Sequence, residues 1–137
     1  MHAHKTHFGF TKLLVDDLEG VAAFYKSVCG LTELYRVESE IGGRKIREIL
    51  FDVTGTGAAT FVLLKFVGAP KPANDEVILG FITSDLEAFV GRALLAGGSV
   101  LQEIRSQPEH GVKVAFVKDV EGHLIEVVEM LAPAPSH

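Results

Sequence analysis

The sequence predicts an α+β fold made of two tandem βαβββ modules, on three observations. Shifting the chain by 68 residues lays Asp16-Asp17-Leu18-Glu19 on Ser84-Asp85-Leu86-Glu87 and Gly30 on Gly98, so one module occurs twice. Each copy opens with an apolar stretch of strand length and continues with apolar residues at helical spacing. Each then carries three further strand-length runs separated by turn residues.

The opening strands are read at residues 7–15 and 77–83, rich in β-branched and aromatic side chains. Asp16 and Ser84 are good helix N-caps, with Glu19 and Glu87 three residues on to complete the capping pattern. Leu18, Val21, Ala22, Tyr25 and Cys29 then recur on one helical face, as do Leu86, Phe89, Val90, Ala93 and Leu94. Gly30 and the Gly97-Gly98 pair stop the two helices. The remaining strands are placed at residues 31–40, 44–53 and 60–66, and at 99–105, 112–118 and 123–130. Gly42-Gly43 joins the first pair, and turns at 108–111 and 119–122 serve the second module. Module one therefore spans 7–66, a proline-bearing linker 67–76, module two 77–130 and a tail 131–137, all within one domain of 137 residues.

Composition narrows the function. The 13 Lys and Arg residues against 18 Asp and Glu give a net charge of −5, with no basic cluster of the kind a nucleic-acid surface needs. No apolar run approaches the length of a membrane span, no leader pattern opens the chain, and the single cysteine cannot close an internal disulfide. A reduced, cytoplasmic protein that engages neither nucleic acid nor membrane is expected. Cys29, on the apolar helix face, reads as core filling.

The run Phe10-Thr-Lys-Leu-Leu-Val-Asp-Asp-Leu18, leading to Phe24-Tyr25 and Gly30-Leu31, and the closing Asp119-Val-Glu-Gly-His-Leu-Ile-Glu126, carry a family likeness. The chain resembles the vicinal oxygen chelate superfamily, which includes glyoxalase I, methylmalonyl-CoA epimerases, extradiol dioxygenases, fosfomycin-modifying enzymes and bleomycin-resistance proteins. The resemblance covers nearly all of residues 7–130. It implies an eight-stranded, cup-shaped mixed sheet built from the two modules, often completed across a homodimer. It also implies four metal-ligand positions, which fall on Phe10, Leu63, Ile78 and Glu126. Three of those are hydrocarbon, and neither His7, an odd number of residues from Phe10, nor Lys65 repairs the set. The arginine that binds glutathione in glyoxalase I falls on Leu14. A cup without a catalytic metal or other cofactor is the expectation.

Glu126 is the candidate catalytic residue. Its apolar neighbours would favour the neutral acid and suit a general base or a donor to a ligand carbonyl. The alternative is a retained ancestral ligand, paired with Lys12 or Lys65. Those lysines would either hold an anionic substrate or sit with their ammonium groups in water. Phe8, Phe10, Phe61, Leu63, Ile78, Leu124 and Val128, with Lys12, Lys65 and Glu126, are expected to line the cup as a ligand site, or else to fill it. Arg44 and Arg47, beside Glu38, Glu40 and Glu48, suit a carboxylate or phosphate but read more simply as a solvated hairpin. His2, His4 and His7 form an adventitious cluster, and His110 and His123 fall at turns, where exposure is expected. The leading expectation is a homodimer that binds a small, largely apolar molecule. The alternatives are a metal-independent isomerase or lyase using Glu126, a metal-dependent lyase or dioxygenase, and a filled-cup structural module.

Overall fold

A computed structural model describes residues 8–55, 59–73 and 76–131. The order is β1 (Phe10–Leu14), α1 (Leu18–Cys29), β2 (Glu33–Ile41), β3 (Arg44–Phe51) and β4 (Thr60–Phe66). It continues with β5 (Ile78–Ile82), α2 (Leu86–Leu95), β6 (Ser99–Gln107), β7 (Val112–Lys118) and β8 (Leu124–Met130). The turn expected at 108–111 is a short 3-10 helix, Pro108–His110, stopped by Gly111 at φ +69°. The two βαβββ modules follow one another as the sequence predicts. Their eight strands form two four-stranded sheets, ordered β1-β4-β3-β2 and β5-β8-β7-β6. In each sheet the first strand runs parallel to the last and the other pairings are antiparallel.

The helix starts fall one residue later than the sequence pattern suggests. Asp85, in extended conformation at φ −146°, accepts the Ala88 N–H at 3.0 Å, and its own carbonyl accepts the Phe89 N–H. Asp17 likewise accepts the Gly20 N–H at 3.0 Å. Asp16 and Ser84 are displaced as caps because the residue that follows each is an aspartate whose carboxylate reaches the first turn. A second orphan donor of α2, the Leu86 N–H, is taken by Glu129 from β8 at 2.8 Å. Gly30 and Gly97, at φ +68° and +93°, supply the left-handed residues that end the helices.

The chain divides into two compact units, and the division cuts through α1. The first holds the described residues up to Ala22 together with Leu31–Pro72; the second holds Ala23–Gly30 together with the described residues from Ala73 onward. In the first, Val62, Leu63 and Leu64 are buried in succession, so both faces of the sheet are covered at its centre. In the second, Phe81 stacks on Tyr25 with ring centres 6.1 Å apart and meets Phe89 of α2 at 6.4 Å. The sheet face carrying Phe81, Leu79, Ile125 and Val127 is therefore the one that the helical residues cover.

Candidate functional site

Strand alternation puts Glu126 on the opposite face of the second sheet. There Ile78, Gly80 and Ile82 of β5 pair with Leu124, Glu126 and Val128 of β8. Ile78 is 57% exposed and Ile82 77%, while Leu124, Glu126 and Val128 are half-buried. Glu126 lies between Gly80 and Phe116 in the pairing, and a Cβ placed on Gly80 would meet nothing within 4 Å. No charged group pairs with Glu126 among the described residues. The arrangement is one carboxylate on an exposed apolar strip, with open space beside it where the neighbouring strand has no side chain. Ile78, Leu124 and Glu126 thus come together as the sequence suggests, although Glu126 is half-exposed rather than enclosed.

The first sheet departs from the sequence expectation by one residue. β1 pairs with β4 so that Phe10 meets Thr60, Lys12 meets Val62 and Leu13 meets Leu63. Phe61, Leu63 and Lys65 therefore share the face of Leu13, opposite the face of Phe10 and Lys12. Leu63 is fully buried, the Phe61 ring stacks against Phe51 at 6.0 Å, and Lys65 reaches Asp16 at 3.3 Å. Phe8, just before β1, is 75% exposed.

Lys12 does not pair with Glu126; its ammonium lies 2.6 Å from Glu48 Oε2 and 5.5 Å from the centre of the Phe10 ring. Glu48 is 6% exposed, which corrects its reading as part of a solvated hairpin, and the Lys12 ammonium is the partner this oxygen has among the described residues. Its neighbours in sequence, Lys45 and Arg47, point to the other side of β3, where Arg47 meets Glu38 at 3.5 Å. Nothing local in the sequence marks Glu48 as buried, because its partner is a strand away. Lys12→Met is expected to cost about 1–3 kcal/mol, less than a fully buried pair because the lysine is one-third exposed. Urea unfolding measures this, and a loss within error would mean that the pair contributes nothing.

His123 is also buried, against the expectation of an exposed turn histidine. Its Nδ1 lies 2.7 Å from Asp119 Oδ2, the same oxygen that accepts the Tyr25 hydroxyl at 2.7 Å. An ionised carboxylate only accepts, so Nδ1 carries the proton. Asp119 Oδ1 accepts the backbone N–H groups of Glu121 and His123 at 2.9 and 3.0 Å. The signal for this was present in the turn itself, since an aspartate before a glycine-bearing turn commonly folds back on the next N–H groups. Burial raises the Tyr25 pKa well above the ordinary tyrosine value, and the Asp119 charge adds to it. Burial likewise pushes the Cys29 thiol up to about 12, which keeps it protonated and unreactive at neutral pH. The expected His2, His4 and His7 cluster lies outside the described residues, whereas His110 is exposed in the 3-10 turn.

A family model, the Glyoxalase/Bleomycin resistance protein/Dioxygenase superfamily, matches residues 6–127. The chain belongs to that superfamily. No match was found among curated proteins. Solved structures of similar fold include a glyoxalase family protein from Bacillus cereus, with TM-score 0.82, 20% identity and coverage of 96% of this chain and 99% of that one. A glyoxalase/bleomycin resistance protein/dioxygenase family enzyme from Burkholderia phytofirmans PsJN gives 0.69 at 17% identity, covering 92% and 100%. A glyoxalase I mutant from Zea mays gives 0.71 at 20% identity; the match covers 88% of this chain but 46% of the maize chain. At these identities the likeness is one of fold.

The superfamily's metal positions can now be placed by register. Glu126 of β8 pairs with Gly80, two residues past Ile78; the residue of β4 in the same relation to Phe10 is Val62, not Leu63. Phe10, Val62, Ile78 and Glu126 offer one carboxylate among three hydrocarbons, a donor set that does not fit a divalent metal. Among the described residues no three of His, Cys, Asp and Glu come close enough to hold an ion. Of those four positions, the one that keeps a polar group is Glu126, on its apolar strip.

Proposed function

We propose that this superfamily member binds a small molecule with a largely apolar body and a cationic or hydrogen-bond-donating group, held on the Glu126 face of the second sheet without a catalytic metal. The observation that carries the reading is the position of Glu126: a carboxylate with no charged partner among the described residues, set between exposed isoleucines and next to the space over Gly80. Ile78, Ile82, Leu124 and Val128 offer apolar surface whose cover by a ligand is favourable, and the carboxylate selects and orients a donor. The net charge of −5 adds a field that attracts cations. Sequestration of such a molecule, by a chain that pairs as a homodimer, accounts for these features with no bond made or broken.

The experiment is a thermal-shift screen of hydrophobic amines against their neutral isosteres, repeated on Glu126→Gln. Amines are expected to raise the melting temperature of the wild-type protein, and the variant to bind them about tenfold or more weakly with its own melting temperature unchanged. Equal binding of amines and neutral isosteres, or equal binding by the variant, would overturn the role of Glu126. Should the bound molecule be converted by the wild-type protein but not by Glu126→Gln, the carboxylate is a general base and the protein a metal-independent isomerase or lyase.

A further inference from the structure

The first unit contains a cavity that neither the family match nor the reading above uses. β4 ends in a turn at Val67 and Gly68, with Gly68 at φ +78° and the Ala69 N–H donating to the Phe66 carbonyl at 3.2 Å. The segment that follows, together with the ends of β1 and β4 and the start of β3, lines a cavity of about 310 Å³. Its apolar wall comes from Leu14, Val15 and the two prolines, Pro70 and Pro72. Its polar wall is cationic, formed by Arg44, Lys65 and Lys71, and among the described residues no acidic side chain lines the space. Lys65 is partly neutralised by Asp16 at 3.3 Å. Arg44 and Lys71 make no ion pair among the described residues. The Arg44 guanidinium stacks over the Phe66 ring at 3.9 Å, which fixes its plane and leaves its outward N–H groups for another acceptor.

We infer that this cavity binds a small organic acid, a carboxylate on a planar apolar body. The carboxylate takes the guanidinium fork of Arg44 in a two-bond contact, with Lys71 adding charge. The body lies against Leu14, Val15 and the prolines, whose fixed φ angles keep the wall in shape so that little order is lost on binding. A volume of this size is at the small end of ligand sites and suits a single ring with its acid group. The inference does not rest on the reading of Glu126, and Glu126→Gln is expected to leave it unchanged.

The test is a titration of the full-length, 15N-labelled protein with benzoate, benzamide and acetate, followed by amide shifts. Benzoate is expected to give saturable shifts at Leu14, Val15, Phe66 and Ala69, with benzamide and acetate each about tenfold weaker or more. Arg44→Gln is expected to weaken benzoate at least about tenfold, and Lys71→Gln by a smaller factor. Lys71→Gln, on an irregular segment, decides the matter if the strand variant fails to fold. The inference is overturned if benzoate gives no saturable shifts at these amides, if benzamide or acetate binds as tightly as benzoate, or if neither substitution weakens it.

Discussion

Asp119→Ala is expected to destabilise the protein by about 3–5 kcal/mol, and for a chain of this size to lower its melting temperature by more than about 10 °C. The side chain accepts four hydrogen bonds, from the Tyr25 hydroxyl, His123 Nδ1 and two backbone N–H groups, and is buried along with Tyr25 and His123. Removing it takes this acceptor from four donors, three of them in buried bonds, and unmade bonds to buried groups cost more than made ones contribute. Asp119→Asn keeps the shape but exchanges one acceptor for a donor facing other donors, so its loss is expected to be smaller but still clear. Tyr25→Phe, which removes a single donor, is expected to cost about 1 kcal/mol. A loss under about 1 kcal/mol for Asp119→Ala in urea unfolding would show that the turn is held by other means.

The same network predicts an acid limb. Burial alone would raise the Asp119 carboxyl, but the bonds from His123 and Tyr25 and the field of the His123 ring outweigh it and hold the group below the ordinary carboxylate value. A group whose folded pKa lies below its unfolded one contributes stability in full above the unfolded value, about 4. That contribution is lost as the pH falls through the lowered value. Stability measured from pH 6 downward should therefore fall below about pH 4 more steeply in the wild-type protein than in Asp119→Asn.

Gly98→Ala is the second large effect, expected at about 2–4 kcal/mol of destabilisation. An added Cβ would stand 2.5 Å from the Lys118 carbonyl oxygen, 2.9 Å from the Phe24 ring and 3.0 Å from the Ala93 carbonyl oxygen. Two of the three are backbone, and Lys118 is paired with Ser99 beside the site, so relief requires moving β7 or the end of α2. Gly91→Ala is the control of opposite sign. This glycine is exposed inside α2 with nothing within 4 Å of an added Cβ, and the change is expected to stabilise by about 0.5–1 kcal/mol through reduced chain entropy. If both substitutions proved neutral, the close approach at Gly98 would be wrong.

Gly98 also illustrates what the sequence could and could not carry. The pair Gly97-Gly98 reads as one helix stop, yet only Gly97 has the left-handed backbone that a stop needs; Gly98 is there for lack of room, and sequence does not display room. The modules were legible because a 68-residue repeat and two capped amphipathic helices are local patterns. The register of β4 was not. Phe61-Val62-Leu63-Leu64 has no alternation, since both faces are covered at the strand's centre, and pairing with β1 alone decides which face each residue takes. In β8 the glutamates at 126 and 129 interrupt the apolar run, so the face of Glu126 was readable, and with it the company of Ile78 and Leu124. Glu48 stayed hidden among the charges of its strand because its partner, Lys12, is 36 residues away, and ion pairs across strands leave no periodic trace.

The shared ownership of α1 sets how this chain can be divided. Residues 23–30 belong by sequence to the first repeat and by packing to the second unit, where Tyr25 is tied to Asp119 across 94 positions of sequence. A break in the proline-bearing linker would therefore not yield two self-sufficient halves. The fragment from Ala73 onward would lack the tyrosine that its buried aspartate bonds, and the fragment ending at Pro72 would carry Phe24, Tyr25 and Val28 with their apolar surface bare. The repeat visible in the sequence divides the chain at the linker, whereas the boundary between its two compact units also cuts through a helix.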